Sequence, residues 1–387
     1  MKRKLIFAIL LCLLMPLSAF SQSEDIYFTD ALPSDSALYS FEEDIRYAEA
    51  DTILRVALVL SDIYGKKDME FTRGMLLGIQ NASLPPNSLS LKIVNGEIPE
   101  DSLSYELELF EPHVIVSTME KEALRPLNDY LSGHEAKVLN VFDTKSDDNY
   151  LNRTVYQLLA PSQTFNSLAA AYFVETFPGN ILLIVGEQDP SDQILQDMLS
   201  SWAPEDVVVI PMEALEELTL DEKNNYLIYP ASSSGNDVKE VLRHTLRLMA
   251  DYPEAGIRIA GRPNWIAFND LNTMISNMEV FIPARCYFDA SSAKGKRFIS
   301  DYHGLFGHAP IRSYPVYAVM GYDTASYFLP GLVDEIKGME PLWESQNMVQ
   351  SYFNLERSSP FNTFYNNGVF MIHCEPWGTM EKIILEQ

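Results

Sequence analysis

Histidines, carboxylates and hydroxyls are the side chains here that can do chemistry, and their spacing decides which chemistry is open to them. His113, His134, His244, His303, His308 and His373 include no pair at metal-ligand spacing on a helix. No Gly-x-Ser-x-Gly elbow precedes a helix, and no Walker loop or Gly-x-Gly-x-x-Gly follows the first apolar strand. The loop after Leu60 holds one glycine, Gly65, too few for backbone to cradle a pyrophosphate. The numerous carboxylates read as a solvated surface. Catalysis therefore finds no support, and neither a metal nor a cofactor is implied. What remains is recognition. Ser61 and Tyr64 share one loop and Ser117 and Thr118 a second, each where a strand gives way to a helix, and Thr144 and Ser146 lie in a third, after the fourth strand. Unpaired helix N–H groups and hydroxyls at such places grip polar ligands, and the same hydroxyls serve equally well as N-caps.

Holding these loops on one edge requires alternating strands and helices. Residues 55–60 (RVALVL) form a run of apolar, mostly branched residues, as a strand covered on both faces should be. A helix over 68–81 follows, with Phe71, Met75, Leu76 and Ile79 on its core face; Gly74 and Gly78, four apart, mark close helix-on-sheet packing. Strand 90–94, helix 102–110, strand 114–116, helix 120–131 and strand 137–142 complete a first block. A second block repeats the order: strand 154–159, helix 161–176, strand 180–185, helix 191–202, strands 206–210 and 226–229, helix 236–250 and strand 256–260. Its loops carry Asp189 (186–190) and Ser232 (230–235), and the turn after its last strand carries Asn264 and Trp265. Such repetition predicts an α/β fold of mostly parallel sheets with helices on both faces. Right-handed crossovers place the following loops on one edge, where ligands bind beside helix N-termini. Two blocks predict two lobes with a cleft between them.

The whole chain, 387 residues with 47% apolar side chains, is long enough for two cored domains. A formal charge of −26 makes nucleic acid and anionic membrane surfaces poor partners. Lys2, Arg3 and Lys4 precede an apolar run from Leu5 to Leu17, and Ala19-Phe20-Ser21 offers small residues for a signal peptidase. Cleavage before Gln22 and export to the periplasm are expected. Residues 1–21 are thus read as a signal peptide and 22–52 as a solvated acidic leader. Cys286 and Cys374 remain after processing; in an exported chain they can pair, or stay separate buried thiols.

The most distinctive stretch is 294–332. Phe298, Tyr302, Leu305 and Phe306 recur at helical spacing up to Gly307, Pro310 and Pro315 extend the connector, and a second helix opens before Gly321-Tyr322-Asp323. This order of Phe298, Tyr302, Gly307, Pro310, Gly321, Tyr322 and Asp323 resembles type I periplasmic binding proteins of the leucine/isoleucine/valine-binding kind, the substrate-binding partners of ABC transporters. Asn152, the apolar run 155–159 and Pro161-Ser162 are similar to that family's crossing between lobes. The stretch 259–265 (IAGRPNW) resembles its turn after a lobe-two strand, 278–289 its next strand and crossing, and 366–370 (NNGVF) the closing strands of Bacteroidetes-type relatives.

The resemblance implies a two-lobed type I periplasmic-binding-protein fold, with lobe one built from 53–153 and 287–340 and lobe two from 154–286 and 341–387. It further implies that hydroxyls and N–H groups at Ser117, Thr118, Thr144 and Ser146 hold a ligand carboxylate, with Ser61 and Tyr64 lining the same side, while an acid from lobe two holds an ammonium. This chain departs at the second point: Asn264 stands where amino-acid binders carry an acid, and an amide supplies no charge. Asp189 can substitute for it or cap the next helix; Ser232 lines the neighbouring loop; Trp265 and Tyr287 can stack on a ligand or simply pack. Two functions follow. One is a periplasmic solute-binding protein closing on a small polar ligand, an amino acid or peptide-like, for a transporter or sensor. The other is a ligand-poor interaction or regulatory protein of the envelope.

Overall fold

The computed structural model describes residues 53–119, 127, 130–131, 133–145, 152–232, 234–267, 272–336, 344–378 and 380–386. The expected leader, Ser146 and most of the expected helix 120–131 lie outside them. Two seven-stranded sheets organise the chain. In the first, β1 (Leu54–Leu60), β2 (Leu89–Asn95), β3 (Val114–Ser117), β4 (Lys137–Asn140) and β5 (Val155–Gln157) are parallel, in the order β5-β4-β3-β1-β2. Strands β13 (Leu355–Glu356) and β14 (Phe364–Asn366) extend it beside β5. The second runs β10-β9-β8-β6-β7 in parallel, from β6 (Ile181–Val185), β7 (Val207–Ile210), β8 (Asn225–Pro230), β9 (Gly256–Ala260) and β10 (Val280–Ala284). The antiparallel pair β15 (Val369–Cys374) and β16 (Met380–Leu385) closes its β10 side, and β11 (Gln346–Asn347) and β12 (Tyr352–Phe353) form a separate antiparallel pair.

Both faces of the central strands are covered, which is why β6 and β10 read as unbroken apolar runs. Helices α1 (Lys66–Asn81) and α7 (Tyr317–Glu335) bury Phe71, Met75, Met320, Phe328 and Leu332 on one face of the first sheet. Helix α2 (Glu100–Phe110) covers the other through Leu103 and Leu107. On the second sheet, α3 (Ser162–Thr176) and α4 (Gln193–Ser201) lie opposite α5 (Gly235–Asp251). Helix α6 (Ala293–Phe306) adds a further layer, packing Phe298 and Tyr302 against Leu77, Ala318 and Val319.

Four sequence expectations need correction. The boundary set at residue 154 gives β5 to lobe two, yet Val155 pairs with Val138 and the chain leaves the first sheet only after Gln157. Likewise β13 and β14, assigned to lobe two, pair with each other and with β5 in the first sheet. On α1, Leu77 is buried and Leu76 only partly so, because α6 and α7 cover a second side of that helix. Gly74 and Gly78 serve helix-on-helix contact: a Cβ on Gly74 would stand 1.7 Å from the carbonyl oxygen of Ala318. Gly321 answers from α7, where a Cβ would lie 2.0 Å from the carbonyl oxygen of Phe71.

The chain passes between the sheets three times, after β5, after β10 and after β14. Buried polar groups bind these passages together. Asp323 on α7 accepts backbone N–H bonds from Val349 at 3.0 Å and from Gln350 and Ser351 at 2.9 Å each. The Gln350 amide pairs both ways with the backbone of Val316, while its own carbonyl accepts from Tyr287 at 2.9 Å. Asn366 is fully used, giving to Leu158 and Tyr352 carbonyls and accepting from the N–H groups of Asn354 and Gly368. Arg285 donates to the Ala160 carbonyl at 2.8 Å and stacks over Phe165; its burial pulls the guanidinium below its ordinary range.

Two consequences are measurable. Gly321→Ala must drive backbone from backbone, and denaturant unfolding is expected to show a loss of about 3 kcal/mol or more. Burial raises the Asp323 carboxyl to about 6 against its three backbone donors. A carboxyl raised on folding adds stability below its unfolded pKa and loses it as pH climbs through about 6. The stability of the native protein relative to Asp323→Asn should therefore fall by about 2 kcal/mol between pH 4 and pH 7 in chemical denaturation.

Candidate functional site

On the first sheet the strand ends meet a strip of linked polar groups. Ser61 follows β1; its N–H donates to the Thr118 hydroxyl at 3.0 Å and its own hydroxyl to Asp68 Oδ2 at 2.8 Å. Asp68 belongs to the first turn of α1, is buried, and also accepts from the Asp62 N–H at 2.7 Å. The Ser117 oxygen accepts from the Met119 N–H at 3.2 Å. Ser117 and Thr118 are fully buried; the Ser117 oxygen fastens its own turn, while the Thr118 oxygen ties that turn to the loop after β1. Tyr64 is exposed, and its backbone N–H rests on Asp62. Thr144 presents its carbonyl to the N–H of Ser162 at 2.9 Å, joining the loop after β4 to the first residue of α3.

On the second sheet the expected residues separate. Asp189 is exposed, and one of its oxygens accepts from the N–H and hydroxyl of Ser191 at 2.8 Å each. Those bonds hold its carboxyl below the usual range. Ser232 donates to Asp237 at 2.7 Å and accepts from the Ser234 N–H, fixing the start of α5. Asn264 is half-buried in the turn after β9. Trp265 is fully buried in the core with Val280 and Ile282, its six-membered ring close against Gly261, so of its two readings packing is the one realised. Tyr287 donates to the Met380 sulfur. Cys286 and Cys374 are separate buried thiols, pushed up by burial to about 12 and about 11.

Sequence reading missed the charged cluster on this edge. Asp192 caps α4 by accepting from the Leu195 N–H, takes a bond from the Tyr229 hydroxyl at 2.7 Å, and is paired with Arg262. The guanidinium lies 5.6 Å from the centre of the Tyr229 ring. Burial, then the Asp192 charge, drives the Tyr229 hydroxyl far above its ordinary range. Burial opposes the charged Arg262, and Tyr229 and Asp192 outweigh it, so the guanidinium ends above its usual value. Pro190-Ser191-Asp192 carried a legible N-cap signal; nothing in the sequence ties it to a residue 70 positions away.

No family model matches the chain, and no curated protein matches it either. Solved structures do. An ABC transporter substrate-binding protein from Sphaerobacter thermophilus is 12% identical over 86% of this chain and 97% of its own, with a TM-score of 0.54. One from Desulfitobacterium hafniense, solved in complex with Leu, is 13% identical over 85% and 99%, at 0.50. Full-length LpoA from Haemophilus influenzae is 10% identical over 86% of this chain and 59% of its own, at 0.52. The chain thus has the two-lobed type I periplasmic-binding-protein fold, with lobe one around the first sheet and lobe two around the second.

Removing the cation from the lobe-two cluster tests its weight. Arg262→Ala strands a carboxylate that is 10% exposed, so thermal and urea unfolding should show a loss of about 3 kcal/mol, partly recovered when Asp192→Asn is added.

Proposed function

We propose that the chain is an exported two-lobed binding protein that closes on a small polar ligand and hands it to a transporter or reports it to a partner in the periplasm. The observation that carries this reading is the hinge: two independently cored sheets joined by three passages, each tied by buried polar groups at its centre. Such a joint lets the lobes rotate as bodies, and a ligand favours the closed state only by touching both. Polar groups stand at the strand ends of both lobes, as a ligand spanning them requires. Two of the structural relatives are named as substrate-binding proteins, one of them holding Leu, which supports the role and makes amino acids the first ligands to try. Among the described residues no helix is long and apolar enough to cross a membrane. Residues 2–21 carry the features of an export signal.

A second reading, a ligand-poor interaction protein of the envelope, is favoured by one observation. The oxygens of Ser117 and Thr118 already accept backbone bonds, and Asp192 is already paired with Arg262. Small-angle scattering of the mature chain, with a thermal-shift series over amino acids and short peptides, separates the two. A ligand that raises the melting temperature and contracts the radius of gyration supports the receptor. Unchanged values across the series leave the envelope-interaction reading.

A further inference from the structure

Lobe one holds polar atoms at its strand ends that the protein's own hydrogen bonds do not use. Asn140 and Gln157 end β4 and β5, and they stand in register with each other and with Ser117 at the end of β3. All three are fully buried. Asn140 Nδ2 is engaged by Asp143 Oδ2 at 3.5 Å, and Gln157 Nε2 by the Leu159 carbonyl at 3.4 Å. Among the described residues, their oxygens, Asn140 Oδ1 and Gln157 Oε1, receive no hydrogen bond. Asp68 Oδ1 is a third buried oxygen in the same condition, and Asp68 reaches this row through Ser61 and Thr118. All three unspent atoms are therefore acceptors. An interior acceptor without a donor costs about 1–3 kcal/mol, so three on one edge are hard to explain by stability.

We propose that the strip Asp68–Ser61–Thr118–Ser117–Asn140–Gln157 is the lobe-one wall of the ligand site, and that it receives a primary ammonium of the ligand. This rests on the cleft-binding reading above and specifies it. Asp68 supplies negative charge at one end of the strip, and the amide oxygens of Asn140 and Gln157, on adjacent strands, supply the directed acceptors for the ammonium. Lobe two offers less: Asp192 is taken by Tyr229 and Arg262, Asn264 is uncharged, and Asp189 is exposed. The ammonium thus sits on the lobe opposite to the one the family resemblance assigns it.

The test uses the mature chain and two probes of one side chain: L-leucine methyl ester, with an ammonium and no carboxylate, and N-acetyl-L-leucine, with the reverse. Calorimetry and thermal shift should detect the ester and not the acetylated form. Asp68→Asn and Gln157→Met should each weaken ester binding tenfold or more, and Asp189→Asn should leave it unchanged. Gln157→Met should also raise the melting temperature of the ligand-free protein, since it removes an unpaired acceptor at nearly constant volume; a purely structural glutamine would give a drop. Binding of the acetylated probe alone overturns the ammonium assignment and leaves the cleft reading intact. Ester binding that responds to Asp189→Asn and not to Asp68→Asn moves the ammonium to lobe two and overturns it as well. If neither probe binds and Gln157→Met lowers the melting temperature, the strip is a scaffold, and both readings fall together.

Discussion

One carboxylate governs how the two halves of this molecule are joined. Asp323 sits fully buried on α7 and gathers the N–H groups of three consecutive residues, Val349 to Ser351. That segment lies beside the passage following β10, through the Cys286–Ser351 bridge and the Tyr287–Gln350 bond. A chain crossing between two sheets belongs to neither ladder, so its backbone donors need partners from elsewhere. Asp323 meets the need from lobe one, and Asn366 meets the matching need where the last passage begins. The proposed closure would require the passages to bend while these bonds persist. The hinge is thereby polar at its centre and apolar in the bodies on either side.

The carboxylate can be delivered there because α7 is pressed against α1. Gly74 and Gly78 on one helix and Gly321 on the other strip the contact of side chains, so the backbones nearly touch. Gly321 stands two residues before Asp323. The contact that sets the depth of α7 therefore also sets where the carboxylate lies relative to the passages. Packing and hinge chemistry are coupled through one turn of helix, which gives Gly321 and Asp323 a physical reason to stand two residues apart.

Much of this architecture was legible in the residues. Branched apolar runs such as RVALVL and NILLIV announce strands covered on both faces, and the hairpin around Gly307 announces α6 and α7. Sheet membership was harder, because nothing local in Val155–Gln157 says which neighbour it will pair with; register across distant strands decides it. The glycines of α1 were recognised as close-contact positions, but their partner arrives some 240 residues later. At the candidate site, composition could locate hydroxyl-bearing loops but not say which lone pairs were already spent. Ser117 and Thr118 look free in sequence and are engaged in space, while Asn140 and Gln157 fall inside the expected strands and, among the described residues, retain open oxygens. The Asp192–Arg262 pair escaped for the same reason as β5, since its halves meet only when β6 and β9 share a sheet.

The thiol of Cys286 has a use that follows from its address. It lies on a passage between the lobes, buried, and held almost wholly protonated by its surroundings. Thiolate is the reactive form, so a closed hinge should shelter this sulfur from alkylating reagents, whereas a splayed one would admit water and let it ionise. If the lobes open and close as proposed, alkylation of this sulfur, read by mass spectrometry, would report the opening without an attached dye.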